Sequence, residues 1–91
     1  MITVRVKFFA HFREVFGAKD KDITLPDGAT VGDILDSVCD TAERRSLVFD
    51  GGLRPGVVVM KNGASILSLQ GLATPLGPKD TVAVFPLLCG G

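Results

Sequence analysis

Apolar and polar positions alternate strictly at the start of the chain, with Ile2, Val4, Val6 and Phe8 in one set and Thr3, Arg5, Lys7 and Phe9 in the other. That period of two predicts a half-buried strand. The period then changes: Phe9, Phe12 and Phe16 fall at helical spacing, and Gly17 stands where a left-handed glycine stops a helix. One or two helical turns are therefore expected over 10–16. A polar stretch over 18–22 leads to Ile23-Thr24-Leu25, read as a short edge strand, which Pro26-Asp27-Gly28 closes as a turn. Proline there fixes φ and glycine permits a positive value.

Thr30 can cap the next helix, with Asp33 in the reciprocal position of a capping box. Val31, Ile34, Leu35, Val38 and Ala42 recur at i, i+3, i+4, i+7 and i+11, one apolar stripe to lay on a sheet. The principal helix is thus predicted to run past residue 42. Arg44 and Arg45 fall near its end, as solvated surface and well placed for the macrodipole. Residues 46–56 read as irregular, a strand follows at Val57–Lys61, Asn62-Gly63 is a hairpin turn, and 66–69 reads as the returning strand. After the turn Gly77-Pro78-Lys79-Asp80, residues 81–85 form the last strand, with Val82 and Val84 inward.

This order of elements predicts an α+β fold: one mixed sheet with one main helix packed on one face. The first strand is the most regularly amphipathic, and the last is free of proline until Pro86. Both therefore suit inner positions. If they lie side by side and parallel, the helix serves in the crossover that such pairing requires, which is a β-grasp layout.

At 91 residues the chain is expected to be a single domain, 1–91, ending in a flexible tail over 86–91. Ten basic residues balance ten acidic ones, without a basic run, so no positive field is available for nucleic acid. The alternating N-terminus lacks the apolar core of a signal peptide, and no membrane-spanning stretch occurs, so a soluble cytoplasmic protein is expected. Cys39 and Cys89 have no close Cys or His neighbours, which argues against a metal site or a disulfide framework. Cys39, beside the apolar stripe, reads as a buried thiol. His11 has no paired nucleophile and reads as surface.

The feature that points to chemistry is the closing Gly90-Gly91. Two residues without side chains can thread a carboxylate through a narrow tunnel into another protein's active site, where a β-carbon would collide. The same pair also fits an ordinary frayed end. Residues 86–91 extend by about 3.3–3.6 Å each, so such a tail would reach roughly 20 Å. Pro86, Cys89 and Gly90 are the threading residues of this reading, and Gly91 carries the reactive carboxyl. Strand alternation adds a surface: with Phe8 and Val84 inward, Phe9 and Phe85 share the open face, as docking anchors or as cover for the first helix through Phe12 or Phe16.

The opening Val6-Lys7-Phe8-Phe9-Ala10-His11-Phe12-Arg13-Glu14-Val15-Phe16-Gly17 carries a resemblance, together with the helix start from Asp27 to Leu35, the hairpin Lys61-Asn62-Gly63, and the ending from Asp80 through Gly91. It resembles the MoaD family, small subunits of molybdopterin synthase and related sulfur carriers with the ubiquitin-like β-grasp fold. The resemblance implies a carrier rather than an enzyme. A ubiquitin-activating-type adenylating enzyme would use ATP and magnesium on the Gly91 carboxylate, and a sulfur donor would convert it to a thiocarboxylate for the molybdopterin synthase large subunit. It implies no stably bound cofactor, and Phe9 and Phe85 match the family's aromatic docking positions. Leu87, Leu88 and Cys89 depart from the family's commoner tail of prolines and small residues. Cys89 either meets an activated terminus or a partner thiol, or is a tolerated small residue. Two other functions stay open: a ubiquitin-like modifier joined through Gly91 to lysines, and a β-grasp interaction module whose glycines never react.

Overall fold

The computed structural model describes residues 1–86, so the expectations for Cys89, Gly90 and Gly91 lie outside the described residues. In chain order the elements are β1 (Ile2–Phe8), α1 (Phe12–Phe16), β2 (Asp20–Leu25), α2 (Val31–Val38), α3 (Ala42–Val48), β3 (Val57–Lys61), β4 (Ala64–Ser65) and β5 (Thr81–Pro86). Two 3-10 turns, Ile66–Ser68 and Gly71–Ala73, separate β4 from β5. The five strands form one sheet in the order β2-β1-β5-β3-β4. β1 and β5 are parallel neighbours, and every other pairing is antiparallel. The α+β β-grasp layout read from the sequence is the one observed.

The alternation in β1 translates directly into burial. Ile2, Val4, Val6 and Phe8 are buried while Thr3, Arg5 and Lys7 are exposed. In β5, Val82 and Val84 are buried on the same side. Against them pack Val31, Ile34 and Leu35 of α2, all without accessible surface, and Val48 of α3. Phe8 stacks on Phe16 with ring centroids 4.5 Å apart, and Phe12 meets Phe16 edge-on at 5.8 Å, so α1 closes one end of the core with aromatic rings. Gly17 stops α1 at φ 69°, as expected of a left-handed C-cap.

Six local expectations need correction. Phe9 precedes α1 rather than belonging to its stripe, because the chain turns through Ala10 at φ 54° before the helix begins. β2 begins at Asp20, not Ile23, and its charged residues pair with β1: Asp20 opposite Lys7 and Asp22 opposite Arg5. Charges are tolerated there because an edge strand needs them to discourage further pairing.

The predicted single helix is two. Cys39 leaves helical geometry at ψ 70°, and Thr41 starts α3 by accepting the Arg44 amide on its hydroxyl at 3.1 Å. Ala42 is consequently exposed instead of extending the stripe, and the helix continues through residues read as irregular, to Val48. Arg44 is not solvated surface either. It donates to the Val15 carbonyl at 3.0 Å and to Asp40 at 2.6 Å, tying α3 to α1.

The hairpin turn is as read, with Asn62 and Gly63 at φ 50° and 85°, both values that a tight hairpin requires. Its return strand is only Ala64–Ser65. The Ser65 hydroxyl accepts the Leu67 amide at 3.2 Å, which curls the chain into a 3-10 turn and drops Ile66 into the core. Finally, Pro86 belongs to β5 opposite Val57, not to the tail. Having no N–H to donate, it suits the last place of a ladder.

Candidate functional site

The sheet face opposite the helices is divided in two. Across β1 and β2 it is polar: Arg5 pairs with Asp22 at 3.0 Å, and the hydroxyls of Thr3 and Thr24 lie 3.2 Å apart. Across the end of β1, β5 and β3 it is apolar. Phe85 lies opposite Val58 and Ala83 opposite Met60 in the β5–β3 register. These four residues occupy outward positions, since Val82, Val84 and Val59 point into the core.

Phe9 joins the strip from the turn after β1. Its amide donates to the Val84 carbonyl at 3.2 Å, and its own carbonyl accepts from the Phe12 amide at 3.2 Å. Held at both ends, the ring meets Phe85 edge-on, with centroids 5.8 Å apart and an interplanar angle of 83°. Phe9 is 37% exposed. Phe85 is half-buried, as are Val58 and Met60. The Arg13 guanidinium lies 5.5 Å from the Phe9 ring centre while its Nε donates to the Phe8 carbonyl at 3.0 Å. A cation over an aromatic face is attractive and fixes the ring's orientation. Phe12 and Phe16 pair instead with each other and, for Phe16, with Phe8.

The start of β5 is anchored by a second constellation. Asp80 accepts from the Gly77 amide at 2.7 Å and the Asn62 side-chain amide at 3.0 Å, and Lys61 Nζ stands 3.5 Å away. Burial alone pushes the Asp80 carboxyl up, but these donors and the nearby ammonium outweigh it and hold its pKa below the ordinary carboxylate value. The strand carrying Phe85 thus begins at a fixed point.

The structure brings Phe9 and Phe85 together and places Pro86 at the end of the same strand. Gly90, Gly91 and Cys89 lie outside the described residues. His11 is exposed, with its ring 5.0 Å from Phe12. Cys39 is buried, and that burial pushes its thiol up to about 11. Val58, Met60 and Arg13 were missed by sequence reasoning. The signal for the first two was the unbroken apolar run Val57-Val58-Val59-Met60, which must present apolar side chains on both faces of a strand.

Comparison with known proteins identifies the group to which this architecture belongs. The ThiS family profile matches residues 6–91. This chain is a member of the ThiS family. A relative of this ThiS-family chain is Small archaeal modifier protein 3 of Haloferax volcanii, 44% identical over 97% of this chain and 98% of the relative. Among solved structures, small archaeal modifier protein 1 of Haloferax volcanii superposes with a TM-score of 0.84 at 30% identity, covering 98% of this chain and 99% of that one. A putative molybdopterin converting factor, subunit 1, of Pyrococcus furiosus gives 0.78 at 31% identity, over 97% and 100% of the two chains. The ubiquitin-like β-grasp fold and the kinship with MoaD-type sulfur carriers, both read from the sequence, are thereby shown, and the ThiS profile adds the thiazole-type carriers toward which the sequence did not lean. The relatives are small carrier or modifier proteins.

Proposed function

We propose that this ThiS-family protein carries sulfur on its Gly91 carboxyl. A ubiquitin-activating-type partner supplies ATP and magnesium. The carboxylate oxygen attacks the α-phosphorus of ATP and pyrophosphate leaves, giving an acyl adenylate. Hydrosulfide released by a sulfur donor then attacks the acyl carbon, AMP departs, and loss of the sulfur-bound proton leaves a thiocarboxylate. The carrier supplies no catalytic group to these steps; it supplies a slender reactive end and a body that docks.

The observation that carries this reading is the apolar strip of Phe9, Phe85, Val58 and Met60, centred on β5, the strand that precedes residues 87–91 in the chain. Aromatic side chains in such a patch are good anchors for a partner protein. Here they would present the chain's end to the activating enzyme. The same strip would then dock the large subunit of molybdopterin synthase, a destination favoured by the likeness to the Pyrococcus furiosus protein.

A second reading, conjugation through Gly91 to lysines of target proteins, is favoured by the modifier relative. Both share the adenylate. Intact-mass measurement after incubation with the activating enzyme, ATP and a sulfur donor separates them: one terminal oxygen replaced by sulfur for the carrier, lysine-linked products for the modifier. An unchanged mass with partners active on another carrier would mean an interaction module that never reacts. Deleting Gly91 is expected to abolish either reaction while leaving the unfolding transition unchanged.

A further inference from the structure

Beside the Phe9 ring, where the apolar strip meets the start of β2, the surface has a hollow of about 280 Å³ lined by Lys7, Phe8, Phe9, Arg13, Lys19 and Asp20. Three cations face one carboxylate there, in a chain whose basic and acidic residues balance overall. They form no run in the sequence; the fold gathers them. Lys7 is an exposed residue of β1 opposite Asp20. The Lys19 carbonyl accepts the Phe8 amide at 2.9 Å. Arg13 reaches over from α1 through its Nε bond to the Phe8 carbonyl at 3.0 Å, and its own carbonyl accepts the Ala18 amide at 3.1 Å. Bonds to the backbone thus hold the three together against their mutual repulsion, which an anion among them would relieve.

Their charge is also unspent. Among the described residues, ion pairs join Arg5 to Asp22, Arg44 to Asp40, Arg45 to Asp36 and Lys61 to Asp80, whereas Lys7, Arg13 and Lys19 join no carboxylate. All three are exposed, and Arg13 commits only its Nε. At the opposite end of the strip, past Met60, β4 contributes Ala64 and Ser65 and no charge. The strip is therefore positive at one end and uncharged at the other.

We propose that this hollow receives carboxylates from the activating enzyme, whose docking surface carries an acidic cluster at one edge of an apolar patch. The hollow's role rests on the docking reading of the strip given above. Apolar contact is non-directional, so the strip alone would allow a partner to seat end for end. The cations remove that freedom: the reversed arrangement sets the partner's carboxylates against Ala64 and Ser65, unpaired, and leaves three cations without a counter-charge. They also act before contact, drawing an acidic surface toward the Phe9 end. A protein fits better than a nucleic acid because the cations adjoin apolar side chains instead of lining a groove that tracks a phosphate backbone.

The test is stopped-flow association of the full chain with the activating enzyme, without ATP, across a salt series. Lys7→Glu and Lys19→Glu are each expected to slow association about threefold to tenfold at low salt and to flatten its salt dependence, with dissociation changed by less than about twofold. Asp20→Asn, which removes the hollow's one carboxylate, is expected to speed association roughly twofold. Lys79→Glu makes the same change in net charge before the start of β5, away from the hollow, and should leave these rates nearly unaltered. Equal slowing by Lys79→Glu means a response to net charge alone and overturns the proposal, as does wild-type salt dependence in Lys7→Glu and Lys19→Glu. Those unaltered rates beside weakened binding of Phe85→Ala would remove the cations and leave the strip. If the enzyme does not bind the wild-type chain, the carrier reading fails, and amide NMR of the full chain titrated with hexaglutamate still decides the hollow. Shifts centred on Lys7, Phe9, Arg13 and Lys19 support an acidic protein ligand; shifts spread over Lys21, Arg54 and Lys79, or none, overturn it. Stronger shifts of the same four residues with oligouridine assign the hollow to nucleic acid and overturn it equally.

Discussion

Two side chains have ionisation that the fold moves in opposite senses. The Cys39 thiol is raised to about 11 because burial disfavours its thiolate. The folded state therefore holds this proton more tightly than the unfolded chain does. The resulting stability is complete below the unfolded value and is lost as pH rises through about 11. Chemical denaturation from pH 8 upward should show a steeper alkaline loss for wild type than for Cys39→Ala. Asp80 is depressed, so its contribution is present above the ordinary carboxylate value and lost as pH falls through its own lower one. Asp80→Asn keeps the shape but removes the charge-assisted bonds, and is expected to cost about 1–3 kcal/mol at pH 7 by urea unfolding, with a smaller loss in acid than wild type shows. The buried state of Cys39 was legible from its place beside an apolar stripe. The role of Arg44 was not, because its Val15 partner lies 29 residues away and nothing local marks the contact.

At the scale of elements, the caps are the informative parts. The reciprocal bonds of Thr30 and Asp33, at 3.3 and 2.9 Å, were predictable because a capping box is written within four consecutive residues. Thr41 caps α3 by the same chemistry, but an apolar stripe continuing to Ala42 hid the break at Cys39. Periodicity reports which residues could share a face, whereas a helix end depends on a competing hydrogen bond. Thr30→Ala and Thr41→Ala are each expected to lower stability by about 1 kcal/mol, measured by urea midpoint at constant slope. Since the two caps serve different helices, the double variant should show near-additive loss. Similarly, Asn62-Gly63 foretold a hairpin, while the Ser65 hydroxyl that shortens β4 has no such short-range signature.

The whole molecule separates its two apolar surfaces by one strand's alternation. Val84 faces the core and Phe85 faces out, so neighbouring substitutions should have unlike consequences. Val84→Ala is expected to cost about 1.5–3 kcal/mol of stability. Phe85→Ala should cost less stability, about 1 kcal/mol for the lost edge-on contact with Phe9, and weaken binding to the activating enzyme by about tenfold or more, the loss typical of an interface anchor. Calorimetric binding beside thermal unfolding checks both; equal binding by Phe85→Ala would remove the strip from the docking role. The layout of the sheet was readable because β1 and β5 carry clean alternation. The full extent of the outer strip was not, because Val58 and Met60 become outward only once the register with β5 is known.

The parallel contact between β1 and β5 joins the earliest-made strand to one made after every other element. A nascent chain halted before residue 81 has β2-β1 and β3-β4 as two pieces of sheet with no strand between them. Such long-range pairing makes folding wait on synthesis. Products of premature termination would therefore be left open to proteases, and the cell's stock of folded molecules would be enriched in copies translated through β5.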